Sequence, residues 1–139
     1  VLFYDKMDTI QSKTIHDMTK ILIIDDDNQF REMLHEMVKR EGYIVFSALD
    51  GAEGMKIFKQ EKPDLVITDI IMPEKEGLET ILELKKNVPE VKIIAISGGG
   101  RSHPGDYLLT AKYFGADKTL AKPFSKSELL NSIVEVLKS

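Results

Sequence analysis

The sequence predicts a doubly wound α/β domain, a five-stranded parallel sheet with five helices on its two faces. Three observations lead there. From Lys20 onward, short β-branched apolar runs alternate with stretches of helical period. Three of the runs are continuously apolar, as strands buried on both faces of a parallel sheet must be. The unusual polar residues stand at the carboxyl ends of the runs, the edge where ligands bind in such sheets.

Each element has its own signal. Ile21-Leu22-Ile23-Ile24 is the first strand and stops abruptly at Asp25-Asp26-Asp27. Phe30, Met33, Leu34, Met37 and Val38 recur at helical spacing until Gly42, with Asp27 as the cap of that helix. Tyr43 to Phe46 is the second strand. Asp50, with Glu53 three residues on, caps a second helix whose inner face is Ala52, Met55 and Phe58. After Pro63, Leu65 to Thr68 is the third strand. Leu78, Ile81, Leu82 and Lys85 fall on one face of a third helix, which must end before Pro89. Ile93 to Ile96 is strand four. Leu108, Ala111 and Phe114 indicate a fourth helix closed by Gly115, and Lys118 to Leu120 a short fifth strand. Ser125 and Glu128 form a capping box, Phe124 and Leu129 a hydrophobic staple, and Leu130, Ile133, Val134 and Leu137 the buried stripe of the last helix. Right-handed crossovers then wind helices onto both faces of the sheet.

Composition limits the function. A chain of 139 residues suits one domain with a sizeable core, here expected over residues 19–139. Residues 1–18 lack any sustained period and read as a tail, either a tag remnant or a flexible extension. A net charge of −4 gives no footprint for nucleic acid. No apolar run approaches the roughly 20 residues of a membrane span, and Leu2-Phe3-Tyr4 is broken by charge too soon for a secretory signal. With no cysteines, disulfides, thiolate metal sites and cysteine nucleophiles are excluded, which fits a cytoplasmic setting.

The carboxyl ends of the predicted strands carry the chemistry. They bring Asp25 and Asp26, then Asp69, Ser97 and Lys122 to one edge. Asp69 stands in Leu65-Val66-Ile67-Thr68-Asp69-Ile70-Ile71-Met72-Pro73, an expensive place for an unpaired charge. Clustered carboxylates need a proton, a basic residue or a metal. All-oxygen donors point to Mg²⁺, which accepts a phosphate oxygen as a further ligand. A carboxylate beside such an ion can attack phosphorus, a lysine adds positive charge for phosphoryl oxygens, and a serine hydroxyl can sense their presence.

Taken together, Ile-Ile-Asp-Asp-Asp at 23–27, Asp69-Ile70-Ile71-Met72-Pro73 with Gly77, Ser97-Gly98, Gly115-Ala116-Asp117 and Lys122-Pro123-Phe124 resemble the receiver domain of two-component response regulators, of the stand-alone type. The resemblance covers about residues 19–139. It implies the CheY-like, flavodoxin-like strand order 2-1-3-4-5 and a phosphorelay role without turnover of an external substrate. It implies Asp69 as phosphoacceptor, Lys122 as phosphate-binding lysine and Ser97 as switch hydroxyl. Mg²⁺ would be held by Asp25, Asp26, Asp69 and the backbone carbonyl of Ile71. Lys122–Pro123 would be a cis bond. The implied partners are a sensor histidine kinase or histidine phosphotransfer protein and a downstream protein target. Nucleic acid and membrane insertion are not expected, and a phosphorylation-dependent dimer is compatible.

The chain departs from the family pattern in three ways. Thr119 stands where an aromatic residue often couples to the switch hydroxyl. Gly98-Gly99-Gly100 opens a longer loop after Ser97. Ile71 is apolar where the family often has a polar residue that influences the hydrolytic water. Two alternatives compete. Asp25-x-Asp27 after an apolar strand mimics the nucleophile motif of haloacid-dehalogenase-like phosphatases, with Asp25 as nucleophile and Asp27 as acid/base; the other is a phosphorylation-independent interaction domain that keeps the fold. His16, His35 and His103 have no matched partners and read as surface or incidental packing.

Overall fold

Apolar runs of four or five residues separated by capped helices leave a chain few ways to bury both sides of its strands. The computed structural model shows the way taken here, describing residues 18–70, 77–98, 109–112 and 114–139. The elements are β1 (Lys20–Ile24), α1 (Asn28–Arg40), β2 (Ile44–Ala48), α2 (Gly51–Glu61), β3 (Leu65–Asp69), α3 (Gly77–Asn87), β4 (Lys92–Ser97), the helical residues 109–112 as α4, β5 (Lys118–Ala121) and α5 (Lys126–Lys138). The sheet has five parallel strands in the order β2-β1-β3-β4-β5, as expected. The tail expected over residues 1–18 falls outside the described residues except for Met18, which is exposed.

Alternation along the strands divides the core. Leu22 and Ile24, with Val66, Ile93 and Ala95, pack under Met55 and Phe58 of α2, Ile81 and Leu84 of α3, and Ala111 of α4. Ile21 and Ile23, with Leu65, Ile67, Ile94 and Ile96, pack under Leu34 and Val38 of α1 and Leu129, Ile133 and Val136 of α5. The register aligns Ile24 with Ala48 and Thr68, and Asp69 with Ile96, so the strand ends form a common edge.

The caps are those the sequence announces. Asp27 Oδ1 accepts from the Phe30 amide at 3.1 Å, Asp50 Oδ1 from Glu53 at 2.8 Å, and Ser125 Oγ from Glu128 at 3.0 Å. Glu53 completes its box on the Leu49 amide at 3.2 Å, one residue before the cap. Gly115 closes α4 at φ 120°, with its amide on the Lys112 carbonyl and that of Ala116 on Ala111, the paired bonds of a Schellman ending.

Several packing faces are turned from those expected. In α2, Ala52 is exposed and Gly51 and Gly54 face the core with Met55 and Phe58. Gly54 lies so close to the Ile24 side chain that a methyl group there would collide with it. In α3, Leu82 is 53% exposed and Thr80 and Leu84 take its place. In α5, Val134 is exposed while Leu129, Ser132, Ile133 and Val136 are buried. Met33 of α1 is 47% exposed rather than in or near the core. The second strand begins one residue later than expected, at Ile44, and runs to Ala48.

Candidate functional site

Each polar residue at the carboxyl edge is delivered by the end of a strand. Asp25 extends β1, its amide bonded to the Ala48 carbonyl at 3.1 Å. The chain then bends, so that Asp25 Oδ1 accepts from the Asp27 amide at 2.9 Å. Arg31 of α1 reaches back to the Asp25 carbonyl oxygen at 2.8 Å, fixing the turn. Asp69 is the last residue of β3, and the next amide, Ile70, bonds to the Ile96 carbonyl at 3.0 Å. Gly77 packs directly on this backbone: a Cβ there would run into the carbonyl oxygen of Asp69 and the Cα of Ile70. Ser97 ends β4, and its carbonyl accepts the Lys122 amide at 2.8 Å. The Lys122–Pro123 bond is cis, as expected.

These ends converge. Asp25, Asp26 and Asp69 each offer a carboxylate oxygen, and the three oxygens lie within 4.8 Å of one another. Asp25 and Asp69 are buried, Asp26 is exposed. Lys122 Nζ stands between the two buried groups, 3.3 Å from Asp25 Oδ2 and 3.4 Å from Asp69 Oδ2. Burial is the largest influence on Asp25 and raises its carboxyl above the ordinary value; the Asp27 amide and the Lys122 charge oppose it without cancelling it. The Ser97 side chain is fully buried, and its Oγ has no hydrogen-bond partner among the described residues. A buried hydroxyl left that way is uncommon.

The set suits a hard divalent cation. The donors are all carboxylate oxygens, two of them are buried, and the one charge of Lys122 does not offset three carboxylates. Added positive charge would relieve the cost that raises Asp25. Ile71, expected to add a backbone carbonyl, lies outside the described residues, as do His16, His103 and Gly99-Gly100 of the loop after Ser97.

Two aromatic residues at this edge carry a signal that periodicity hides. Phe30 fits the buried stripe of α1 and Phe124 fits a staple, so both read as packing. In the structure the Phe30 ring lies under Lys122 Nζ, 3.8 Å from centroid to nitrogen, and meets Phe124 edge-to-face at 6.0 Å and 81°. Asp27 Oδ1 caps α1, the role expected of it from the sequence. His35, expected to have no matched partner, has one: its Nδ1 hydrogen-bonds with Ser47 Oγ of β2 at 2.6 Å.

Comparison with known proteins matches residues 21–134 to the response regulator receiver domain. The "Probable transcriptional regulator ycf27" of Porphyridium aerugineum is 39% identical over 86% of this chain. The chain spans about half the length of that protein and of its counterpart from Guillardia theta, 48% and 45%. Sporulation initiation phosphotransferase F of Bacillus subtilis is 32% identical, with 85% of this chain matching 93% of it. Among solved structures, a response regulator receiver domain protein from Clostridium thermocellum superposes with a TM-score of 0.81 at 30% identity, covering 87% of this chain and 95% of its own. With its five-stranded parallel sheet in the order 2-1-3-4-5, the chain belongs to the response regulator receiver domains, the CheY-like modules of two-component signalling.

Proposed function

We propose that this domain accepts a phosphoryl group on Asp69 and passes the signal on through its surface. The observation that carries the reading is the convergence of Asp25, Asp26, Asp69 and Lys122 at one sheet edge, with the buried, unpartnered hydroxyl of Ser97 at the end of the adjoining strand.

The chemistry follows from the residues. Asp69 is held at the end of β3 by the backbone pairing on either side of it, so its carboxylate is presented with little freedom. Its oxygen attacks the phosphorus of a phosphohistidine; an O–P bond forms, the P–N bond breaks, and the imidazole leaves with the electron pair and takes up a proton. Mg²⁺, held by Asp25, Asp26, Asp69 and the Ile71 carbonyl, would supply positive charge to the phosphoryl oxygens. Lys122, already between Asp25 and Asp69, supplies a second positive group and follows the new charge from carboxylate to phosphoryl. Ser97 Oγ, without a partner among the described residues, gains an acceptor in the phosphoform. No external substrate is turned over.

The donor in this reading is a sensor histidine kinase or histidine phosphotransfer protein, in the cytoplasm. Output runs through α4, β5 and α5 to a protein target, and dimerisation on phosphorylation is compatible with it.

The test is incubation with Mg²⁺ and acetyl phosphate followed by intact mass. The wild type should gain one acid-stable, base-labile phosphoryl adduct, which Asp69→Asn or a chelator abolishes. A wild type that gains none refutes the reading. An adduct that survives Asp69→Asn but not Asp25→Asn would favour the phosphatase-like alternative.

A further inference from the structure

We propose that Phe30 is a positioning residue for phosphoryl uptake, holding the Lys122 ammonium at the mouth of the site through the face of its ring. The proposal rests on the receiver reading of Asp69 and Lys122 and adds to it a residue that reacts with nothing itself.

The geometry around Lys122 carries the argument. Charge-assisted N–H···O bonds usually measure about 2.7–2.9 Å. The two carboxylate contacts of Lys122, at 3.3 and 3.4 Å, are both longer, so neither carboxylate fixes the ammonium. A third contact closes the cradle, the Phe30 ring with its centroid 3.8 Å from Nζ. A cation within about 6 Å of a ring face is attracted by the quadrupole, and more strongly where water is partly excluded. Only a fifth of the Lys122 side chain is accessible. An ammonium has three hydrogens, and two carboxylates and one ring face give each a direction.

The ring is itself held. Phe30 lies in the first turn of α1, whose start is fixed by the Asp27 cap, and Phe124 meets it edge-to-face. The cation is therefore seated on a ring that is itself fixed, besides its two carboxylate contacts. That matters when a phosphoryl group arrives. With the carboxylates engaged by phosphorus and by any bound Mg²⁺, the ring would be the contact that still holds the ammonium, so it would count for more there than at rest. It keeps the ammonium at the crevice while its partners change. The ring also gives the site an aromatic contact from α1, in a chain where Thr119 removes the usual one from β5.

The experiment compares Phe30→Leu, which keeps an apolar side chain without a π face, with Phe30→Tyr, which keeps the face. Uptake from acetyl phosphate with Mg²⁺ and affinity for beryllofluoride are measured beside the melting temperature. Phe30→Leu should lower both the initial uptake rate and the beryllofluoride affinity roughly two- to fivefold, the fold-change expected of one exposed to half-buried cation–π contact. Phe30→Tyr should restore both. In a Lys122→Met background Phe30→Leu should cost nothing further, because the ring acts through the ammonium. A merely structural role would lower uptake with the melting temperature whatever stands at 122. Should Phe30→Leu fail to fold, Phe30→Met makes the same comparison. Wild-type labelling matched by Phe30→Leu overturns this inference alone. A wild type that takes up no phosphoryl group overturns the receiver chemistry and this inference with it.

Discussion

Asp25 and Ser97 show what the resting site costs the fold. Burial pushes the Asp25 carboxyl above its ordinary value near 3.8, so the folded state holds that proton more tightly than the unfolded chain does. Below 3.8 both states are protonated and Asp25 leaves stability unchanged. As pH rises through the window between the ordinary and the raised value, the folded state is disfavoured, and above it the full penalty applies. Asp25→Asn should therefore raise the melting temperature at pH 7 in chelator, and the gain should vanish as the pH is brought below 3.8. A loss at pH 7 would mean that the Lys122 pairing outweighs the burial. Ser97 makes the same point with a neutral group. With no partner among the described residues, its hydroxyl is a desolvated polar atom, a penalty of roughly 1–3 kcal/mol. Ser97→Ala should leave the unphosphorylated domain as stable or about 1 kcal/mol more stable in urea unfolding, while weakening the phosphoform. A clear destabilisation of the resting domain would show that the hydroxyl has a partner in solution.

At the scale of elements, the two glycines packed against the sheet differ in what they meet. A methyl on Gly54 would strike the Ile24 side chain, which can rotate away; a methyl on Gly77 would strike the Asp69 carbonyl and the Ile70 Cα, which cannot move without moving the site. Gly77→Ala should cost more stability than Gly54→Ala, with overpacking of roughly 1–3 kcal/mol as the scale, and only Gly77→Ala should also slow phosphoryl uptake. Equal effects in thermal unfolding and labelling would contradict this. These glycines also mark where the sequence stops being legible. Strand ends and caps are written in residue type, so Asp25, Asp69, Ser97 and Lys122 and the caps at Asp27, Asp50 and Ser125 could be read directly. Helix faces are written in apolar periodicity, which fails where the packing residue has no side chain, as at Gly54, or where two apolar residues compete, as Leu82 does with Leu84. The Phe30–Lys122 contact was invisible for another reason: α1 and the residues after β5 meet only through the sheet order, and each aromatic has a sufficient local explanation as core.

The whole molecule is a sheet whose two covered faces fix five strand ends, with the proposed switch on their common edge. Its energetics are modest. A hydrogen bond to a charged group contributes roughly 1.5–3 kcal/mol, and a shift from 1:99 to 99:1 needs about 5.5 kcal/mol of differential binding. Ser97 and Lys122 together approach that figure and neither reaches it alone, and no aromatic residue at Thr119 adds to them. A switch of this size must hold its phosphoryl group long enough for a shallow population shift to be read. Ile71, two residues after Asp69, has no side-chain donor or acceptor with which to orient an attacking water. The phosphoform should therefore persist for minutes or longer after the donor is removed. Ile71→Asn supplies one hydrogen-bonding group, and a bond of about 1 kcal/mol to the transition state would shorten the lifetime roughly fivefold. Intact mass followed over time after desalting measures both. A wild-type half-life of seconds, or an unchanged lifetime in Ile71→Asn, would show that water reaches phosphorus by a route this side chain does not govern.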